Sequence, residues 1–247
     1  MDKINKVLIT KEGKKFYVRN IDEDLHTQYG FVDKSALKNA KEGDFLQSNT
    51  KKGFFIFNPY FIDLYRKIKR DAQIIPLKDV GLIIAETGIN RHSKILDAGS
   101  GSGALACFLA GMAKEVVTYE IREDFIEIVK ANIDFLGLKN IKIKKINIYE
   151  KMEEKNIDIA TLDIPEPWSA IENCAKALKA GGFLVSYSPS VPQVADFVNA
   201  VRKNEHFIYL KTSEIIEREW EVEERKVRPK SKGIGHSGFL SFARKVK

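Results

Sequence analysis

The chain has 247 residues, with 41 Lys and Arg against 34 Asp and Glu, and so a formal net charge of +7. Hydrophobic residues make up 44% and charged residues 30%, a balance that excludes a disordered chain and suits one folded domain with a small appendage. Two cysteines in separate segments, Cys107 and Cys174, exclude a disulfide scaffold and a Cys-rich zinc site; both read as buried apolar residues, and no metal is expected. The charged N-terminus has no apolar signal core, and no run reaches the roughly 18 apolar residues of a membrane span, so the expected location is cytoplasmic, with no membrane partner.

Short β segments punctuated by glycine fill the first part of the chain. Segments 7–13 and 14–20 read as a hairpin about Glu12-Gly13, and further extended pieces fall at 27–31, 45–48 and 53–57. This predicts a small β domain over 1–57. Asn58-Pro59 breaks the pattern, and 61–73 reads as a helix. From Leu77 onward helices alternate with strands: helix 78–88, strand 94–97, a Gly-rich turn, helix 104–112, strand 115–120, helix 123–136, and strands 141–146 and 157–162. Helix 168–178, strand 182–188, helix 191–203 and late strands at 206–210 and 237–243 complete it. The alternation predicts an α/β domain over 58–247, built on a doubly wound, mostly parallel sheet.

The charge is unevenly spread. Residues 225–247 hold eight Lys and Arg and no carboxylate, while 214–224 just upstream hold six Glu and one Arg. A second basic run spans 66–70. Such patches can attract phosphate backbones, and equally they can be solvated faces that keep a protein dissolved.

The sharpest local feature is Ile95-Leu-Asp-Ala-Gly-Ser-Gly-Ser-Gly-Ala104. An apolar strand ends in Asp97, glycines 99, 101 and 103 make a tight turn, and a helix follows. One strand later, Glu120 stands where such sheets grip a ribose diol. The dinucleotide fingerprint has its third glycine one place later, where this chain has Ala104. The acidic-x-G-x-G-x-G spacing instead resembles motif I of class I S-adenosylmethionine-dependent methyltransferases, which favours S-adenosylmethionine over NAD.

At the end of the fourth strand lies Ala160-Thr-Leu-Asp-Ile-Pro-Glu-Pro-Trp168. Ligands of open α/β sheets lie beyond the carboxyl ends of the strands, so Asp163 is expected in the cleft. Pro165 and Pro167 stiffen the following loop, and Trp168 either packs beneath it or lines a base pocket. The layout is similar to the D/N-P-P-Y/F/W motif of enzymes that methylate nucleobase nitrogens. Together with Asp97–Gly103, the segments Arg70-Asp-Ala-Gln-Ile-Ile75 with Lys78-Asp79, Asp163–Trp168 and Gly235-His-Ser-Gly-Phe-Leu240 resemble, in order, the tRNA adenine-N1 methyltransferase family. The early His26-Thr-Gln-Tyr-Gly30 segment is similar to part of that family's N-terminal β domain.

The resemblance implies a seven-stranded Rossmann-like methyltransferase sheet, a tRNA substrate methylated at N1 of adenosine 58 in the T-loop, and a homotetramer. It also implies cofactor contacts at Gln73, at the turn through Gly99, Gly101, Ser102, Gly103, Ala104 and Leu105, at Glu120, at Asn147 and at Asp163. Asn147 stands where such enzymes commonly carry Asp, and its amide oxygen can still accept from an adenine amino group. Pro76 replaces an aromatic or His placed near the substrate base in relatives, so a stacking partner must come from elsewhere, such as Tyr60 or Tyr187.

The chemistry follows from the substrate so implied. N1 of neutral adenine carries a free lone pair and needs placement more than a strong base. Asp163 is then the candidate catalytic residue, accepting from the exocyclic amino group and stabilising the charge that develops on the ring. Arg225, Lys226, Arg228, Lys230 and Lys232 are candidates for tRNA phosphate contacts, as are Arg66, Lys67, Lys69 and Arg70. His236 either ties the tail to the sheet or touches tRNA. Two other readings stand beside this one: a non-catalytic tRNA-binding subunit, and a class I methyltransferase acting on a protein or small molecule.

Overall fold

The turn at Gly13, whose φ is +84°, joins β1 (Lys6–Ile9) to β2 (Lys15–Val18) as the expected antiparallel hairpin. These are the first elements of a computed structural model that describes residues 2–246. β3 (Leu25–Thr27) and β4 (Gly30–Val32) form a second hairpin, so the stretch read as one extended piece doubles back at Gln28-Tyr29. α1 (Lys34–Asn39), which the pattern did not announce, follows. The Asp33 carboxylate caps it, accepting from Ser35 N at 2.7 Å and Ala36 N at 3.4 Å, which is how so short a helix holds. β5 (Phe45–Gln47) and β6 (Gly53–Phe57) complete a four-stranded sheet in the order β2–β1–β6–β5. Leu8, Val18, Phe54 and Ile56 from its strands meet Val32 and Leu37 in a small core.

The expected helix over 61–73 is only α2 (Phe61–Tyr65). Beyond it the backbone amides have tertiary partners: Asp71 N and Ala72 N donate to Ser102 Oγ at 3.1 and 3.4 Å. Lys69 N donates to Asn132 Oδ1 and its carbonyl accepts from Asn132 Nδ2. Amides committed in this way cannot close i→i−4 bonds. The chain divides into two compact units, one running through Ile68 with Asp134–Gly137, the other comprising Lys69–Ile133 and the chain from Leu138 onward. α2, expected with the second domain, therefore falls in the first unit.

The second unit is built on a seven-stranded sheet. After α3 (Leu77–Thr87) come β7 (Lys94–Ala98), α4 (Ala104–Ala110), β8 (Glu115–Glu120), α5 (Glu123–Leu136), β9 (Ile141–Lys145) and β10 (Ile157–Leu162). A 3₁₀ turn at Pro167–Ala170 leads into α6 (Ile171–Ala177), then β11 (Leu178–Ser188), α7 (Val191–Lys203) and β12 (Phe207–Ser213). β13 (Trp220–Glu223) and β14 (Lys226–Pro229) form a separate two-stranded hairpin, and β15 (Phe239–Lys245) returns to the sheet. The strand order is β12–β15–β11–β10–β7–β8–β9, with β7 to β11 parallel and β15 antiparallel to both neighbours. β7 and β8 are buried on both faces, as interior parallel strands require. The expected doubly wound α/β sheet is borne out. β7 is its first strand in the chain and has β8 on one side and β10 on the other, so the connections diverge there and open a crevice at the carboxyl ends. No helix among the described residues is long and apolar enough to cross a membrane.

Candidate active site

Asp97, the penultimate residue of β7, is buried in the sheet and reaches the floor of a small recess at the strand ends. Its carboxyl accepts from Thr118 Oγ1 on β8 at 2.7 Å and Thr161 Oγ1 on β10 at 2.8 Å, and burial pushes its pKa above the usual range. It thus ties together the three strands that bear the site. Gly99 follows with φ +88°, and a Cβ there would lie 1.9 Å from the Asp163 carbonyl oxygen, so no side chain fits. Asp163 N donates to Ala98 O at 2.9 Å, extending the β7–β10 pairing one step and fixing the close approach.

Glu120 closes β8 with its carboxylate turned back on the turn. One oxygen accepts from Gly101 N at 3.0 Å, the other from Ile121 N at 2.8 Å and Arg122 N at 3.1 Å. Asn147, two residues past β9, donates to Glu150 Oε1 and accepts from Tyr149 N, which leaves its amide oxygen one lone pair.

The Asp163 side chain has no hydrogen-bond or ion-pair partner among the described residues. Burial, and then the charge of Asp97, push its pKa up to about 7. The loop beyond it is held at two points: Pro165 O accepts from Gln193 Nε2 at 3.1 Å, and Glu166 N donates to Tyr149 Oη at 3.1 Å. Trp168 packs against the core under α6 and α7, its packing reading.

A cleft of about 330 Å³ brings Gln73, Gly99, Gly101, Glu120, Asn147 and Asp163 together. Its apolar walls include Ile121, Phe125 and Ile148, which sequence reading missed; for Ile121 and Ile148 the signal available was an apolar residue directly after a polar one at or just past a strand end, and Phe125 comes from α5. A recess of about 30 Å³ shares Gln73, Gly99, Gly101 and Asp163 with the cleft and continues to Ser102, Ala104 and Leu105. Gly103 lines neither cavity. At φ +72° it starts α4, and a Cβ there would stand 3.0 Å from both Val129 methyls, so its part is close packing.

The acidic and basic runs near the C-terminus are the two strands of one hairpin. Lys226 pairs with Glu223 at 3.2 Å, Arg228 with Glu221 at 2.6 Å, and Lys230 with Glu219. Three of the five expected phosphate-binding cations are thus partly neutralised, while Arg225, at the turn, and Lys232 have no partner among the described residues. His236 places Nδ1 2.6 Å from Glu214 Oε1 and Nε2 3.0 Å from Pro189 O. Both nitrogens face acceptors, so the imidazolium is favoured and the pKa rises. This is the tie of tail to sheet. In the second basic run, Lys67 lies over the Tyr17 ring and Lys69 is 3.6 Å from Asp71.

A family model described as the tRNA methyltransferase complex GCD14 subunit matches residues 64–233. The chain is 34% identical, over 97% of its length and 94% of the relative's, to the tRNA (adenine(57)-N(1)/adenine(58)-N(1))-methyltransferase TrmI of Methanocaldococcus jannaschii. Among solved structures, a SAM-dependent O-methyltransferase from Thermotoga maritima matches with a TM-score of 0.89 at 29% identity, covering 100% of this chain and 94% of that one. The tRNA (m1A58) methyltransferase TrmI from Aquifex aeolicus matches at 0.85 and 26% identity, covering 100% and 99%. A likeness running from the β-rich first unit to the last strand of the sheet is more than one of fold, and the chain belongs to the GCD14 tRNA methyltransferase family.

Proposed function

We propose that the chain transfers a methyl group from S-adenosylmethionine to N1 of adenosine 58 in the T-loop of tRNA. The observation that carries this is Asp163, a carboxylate without a partner at the wall common to cleft and recess. The cavities fit the donor. Glu120 spends three lone pairs on backbone amides and retains one, on Oε2, for a ribose hydroxyl, and Ile121 and Ile148 offer apolar surface for a flat base. The recess toward 102–105 suits an amino-acid end, and the turn at Gly99 leaves no room for a competing side chain. S-adenosylmethionine supplies, when bound, a methyl group on a positively charged sulfur that needs no further activation.

The protein's part is placement. Asp163, in its ionised form, accepts from the exocyclic amino group of the target adenine, orients N1 and stabilises the positive charge that develops on the ring. The loop held by Gln193 and Tyr149 keeps this carboxylate from drifting. The Watson–Crick edge of a T-loop base is not free in folded tRNA, so the base must be drawn out of its stack.

The tRNA contacts divide by pairing. Arg225→Ala and Lys232→Ala should each weaken tRNA binding and lower the slope of log affinity against log salt by about 1. Arg228→Ala, whose cation already answers Glu221, should change the slope by less than half as much, on the order of 0.5 or below. Filter binding across a salt series distinguishes the two groups, and equal slopes would remove the argument from pairing.

We also place the protein in the cytoplasm and read it as a homotetramer. What supports assembly is the β13–β14 hairpin. Its ion pairs lie on one face, and Trp220, Val222 and Val227 stand exposed on the other. A two-stranded hairpin is marginal in water unless something covers such a face. Val222→Glu should lower the mass measured by light scattering; an unchanged mass would assign the face another role.

The test of the activity is mass spectrometry of nucleosides from unmodified tRNA incubated with the protein and S-adenosylmethionine. Transcripts with adenosine 58 replaced by guanosine, and with adenosine or guanosine at 57, run alongside. 1-Methyladenosine that disappears with the change at 58 is the expected result. Product surviving that change when 57 is adenosine would extend the site to 57. Cofactor binding with no methylated nucleoside on any transcript would overturn the reading in favour of a non-catalytic subunit or another substrate.

A further inference from the structure

Lys78 and Asp79 open α3, and their side chains are 7% and 1% exposed. Lys78 Nζ lies 2.8 Å from Asp79 Oδ1 and donates to Ser237 Oγ at 2.5 Å. Ser237 Oγ in turn donates to Asp79 Oδ2 at 2.7 Å, so both carboxylate oxygens are used. The chain of contacts continues through the backbone, since Tyr187 Oη donates to Ser237 O at 2.6 Å. The ring lies flat against the next residue: a Cβ on Gly238 would fall 2.4 Å from Tyr187 Cζ. A buried ion pair is a poor stabiliser compared with apolar side chains of similar volume, and its best-attested use is to specify one arrangement. What this one specifies is the place of Ser237 and, through it, of the Tyr187 hydroxyl.

Tyr187 is next to Asp163. Leu162, the last residue of β10, pairs with Ser186 on β11, Asp163 and Tyr187 are the next residue of each segment, and the Asp163 charge is felt at the Tyr187 phenol. A phenol beside a carboxylate without a partner is an obvious donor to it. Here the single hydroxyl hydrogen is spent on the Ser237 carbonyl instead, and burial pushes the phenol pKa up to about 12, so the phenol stays protonated.

We propose that Lys78, Asp79 and Ser237 are positioning residues that hold the Tyr187 hydroxyl on the Ser237 carbonyl, so that Asp163 keeps its lone pairs for the target base. The inference rests on the reading of Asp163 given above. It gives a use to the Lys78-Asp79 and 235–240 motifs, neither of which lines the cleft or the recess.

The experiment is a double-mutant cycle between Ser237→Ala and Tyr187→Phe. Ser237→Ala leaves the Lys78–Asp79 pair intact and removes only the hydroxyl that anchors the segment. It should slow single-turnover methylation by roughly 10- to 100-fold, with cofactor affinity by calorimetry held within about twofold. With Phe at position 187 there is no hydroxyl to misplace, so adding Ser237→Ala should cost less than about threefold. If Ser237→Ala fails to fold, Lys78→Met combined with Asp79→Leu removes the network without leaving an orphan charge and is read in the same way. An unchanged rate in Ser237→Ala, losses that multiply in the double variant, or a cofactor affinity that falls in step with the rate would each overturn the proposal. A readout that needs no turnover is NMR of ¹³Cζ-labelled tyrosine, with the Tyr187 signal assigned by its absence in Tyr187→Phe. That signal should shift or split in Ser237→Ala, and an unmoved signal overturns the proposal. A parent protein that makes no 1-methyladenosine strikes the function proposed above, while the NMR result still decides this inference.

Discussion

Asp163→Asn should lose roughly 100- to 1,000-fold in single-turnover methylation of tRNA while its cofactor affinity changes by less than about fivefold. The side chain that remains is the same size and can still touch the cofactor cavity, but its amide presents donors where a full negative charge stood. An adenine whose N1 is being alkylated gains positive charge that the neutral amide answers weakly. Equal losses in rate and cofactor affinity would instead make Asp163 a cofactor ligand. The pH dependence provides a second measurement. The carboxyl of Asp163 is held up to about 7, and only its ionised form presents acceptors alone and carries the charge. The rate should therefore fall about tenfold per pH unit below that value and level off above it. The linkage runs the other way for stability. A carboxyl whose folded value is raised is harder to ionise in the folded chain than in the unfolded one, so it destabilises once pH exceeds its unfolded value, the full penalty being reached above about 7. Asp163→Asn should melt higher than the parent at pH 8, by an amount corresponding to roughly 2–4 kcal/mol. A variant that is more stable and less active marks a carboxylate kept for chemistry rather than for the fold.

What could be read from the sequence, and what could not, follows the range of the interactions involved. The Gly99–Gly103 turn, Glu120 and Asp163 were legible because each is set by its place at a strand end, and strand ends in a parallel sheet converge on one crevice. Helix 61–73 was misjudged because the residues that deny it its hydrogen bonds, Ser102 and Asn132, lie some 30 and 63 positions away. The charge runs before and after Glu224 were read as two separate blocks. Their alternation with Trp220, Val222 and Val227 marked two strands, and Glu224, at φ +51°, makes the turn between them. Pairing converts most of a presumed phosphate-binding tail into internal salt bridges, which a count of charges cannot reveal. The network from Lys78 to Tyr187 spans 159 and 50 positions in its two steps, and no local pattern encodes it.

Gly99→Ala should abolish cofactor binding, although it adds a single methyl group. The residue has φ +88°, where an L side chain costs about 1–2 kcal/mol by itself. The larger effect is steric. The new carbon would stand 1.9 Å from the carbonyl oxygen of Asp163, 2.7 Å from its carbonyl carbon and 2.9 Å from Ile164 Cγ2. Two of those atoms are backbone, held by the hydrogen bond from Asp163 N to Ala98 O, so no side chain can swing aside to make room. The strand ends must separate at the point where cleft and recess share a wall, and the Asp163 carboxylate moves with them. Gly13→Ala makes the control: φ is +84°, nothing lies within 4 Å of the added carbon, and only the conformational cost of about 1 kcal/mol remains. At a cofactor concentration a hundred times the dissociation constant, binding stabilises the parent by about 2.7 kcal/mol, visible as a rise in Tm. Gly13→Ala should keep that rise. Gly99→Ala should show none, and its ligand-free Tm should already be lower. A full cofactor-induced rise in Gly99→Ala would mean that the Asp163 loop yields to a methyl group, and the rigid junction assigned to Gly99 and Asp163 would have to be abandoned.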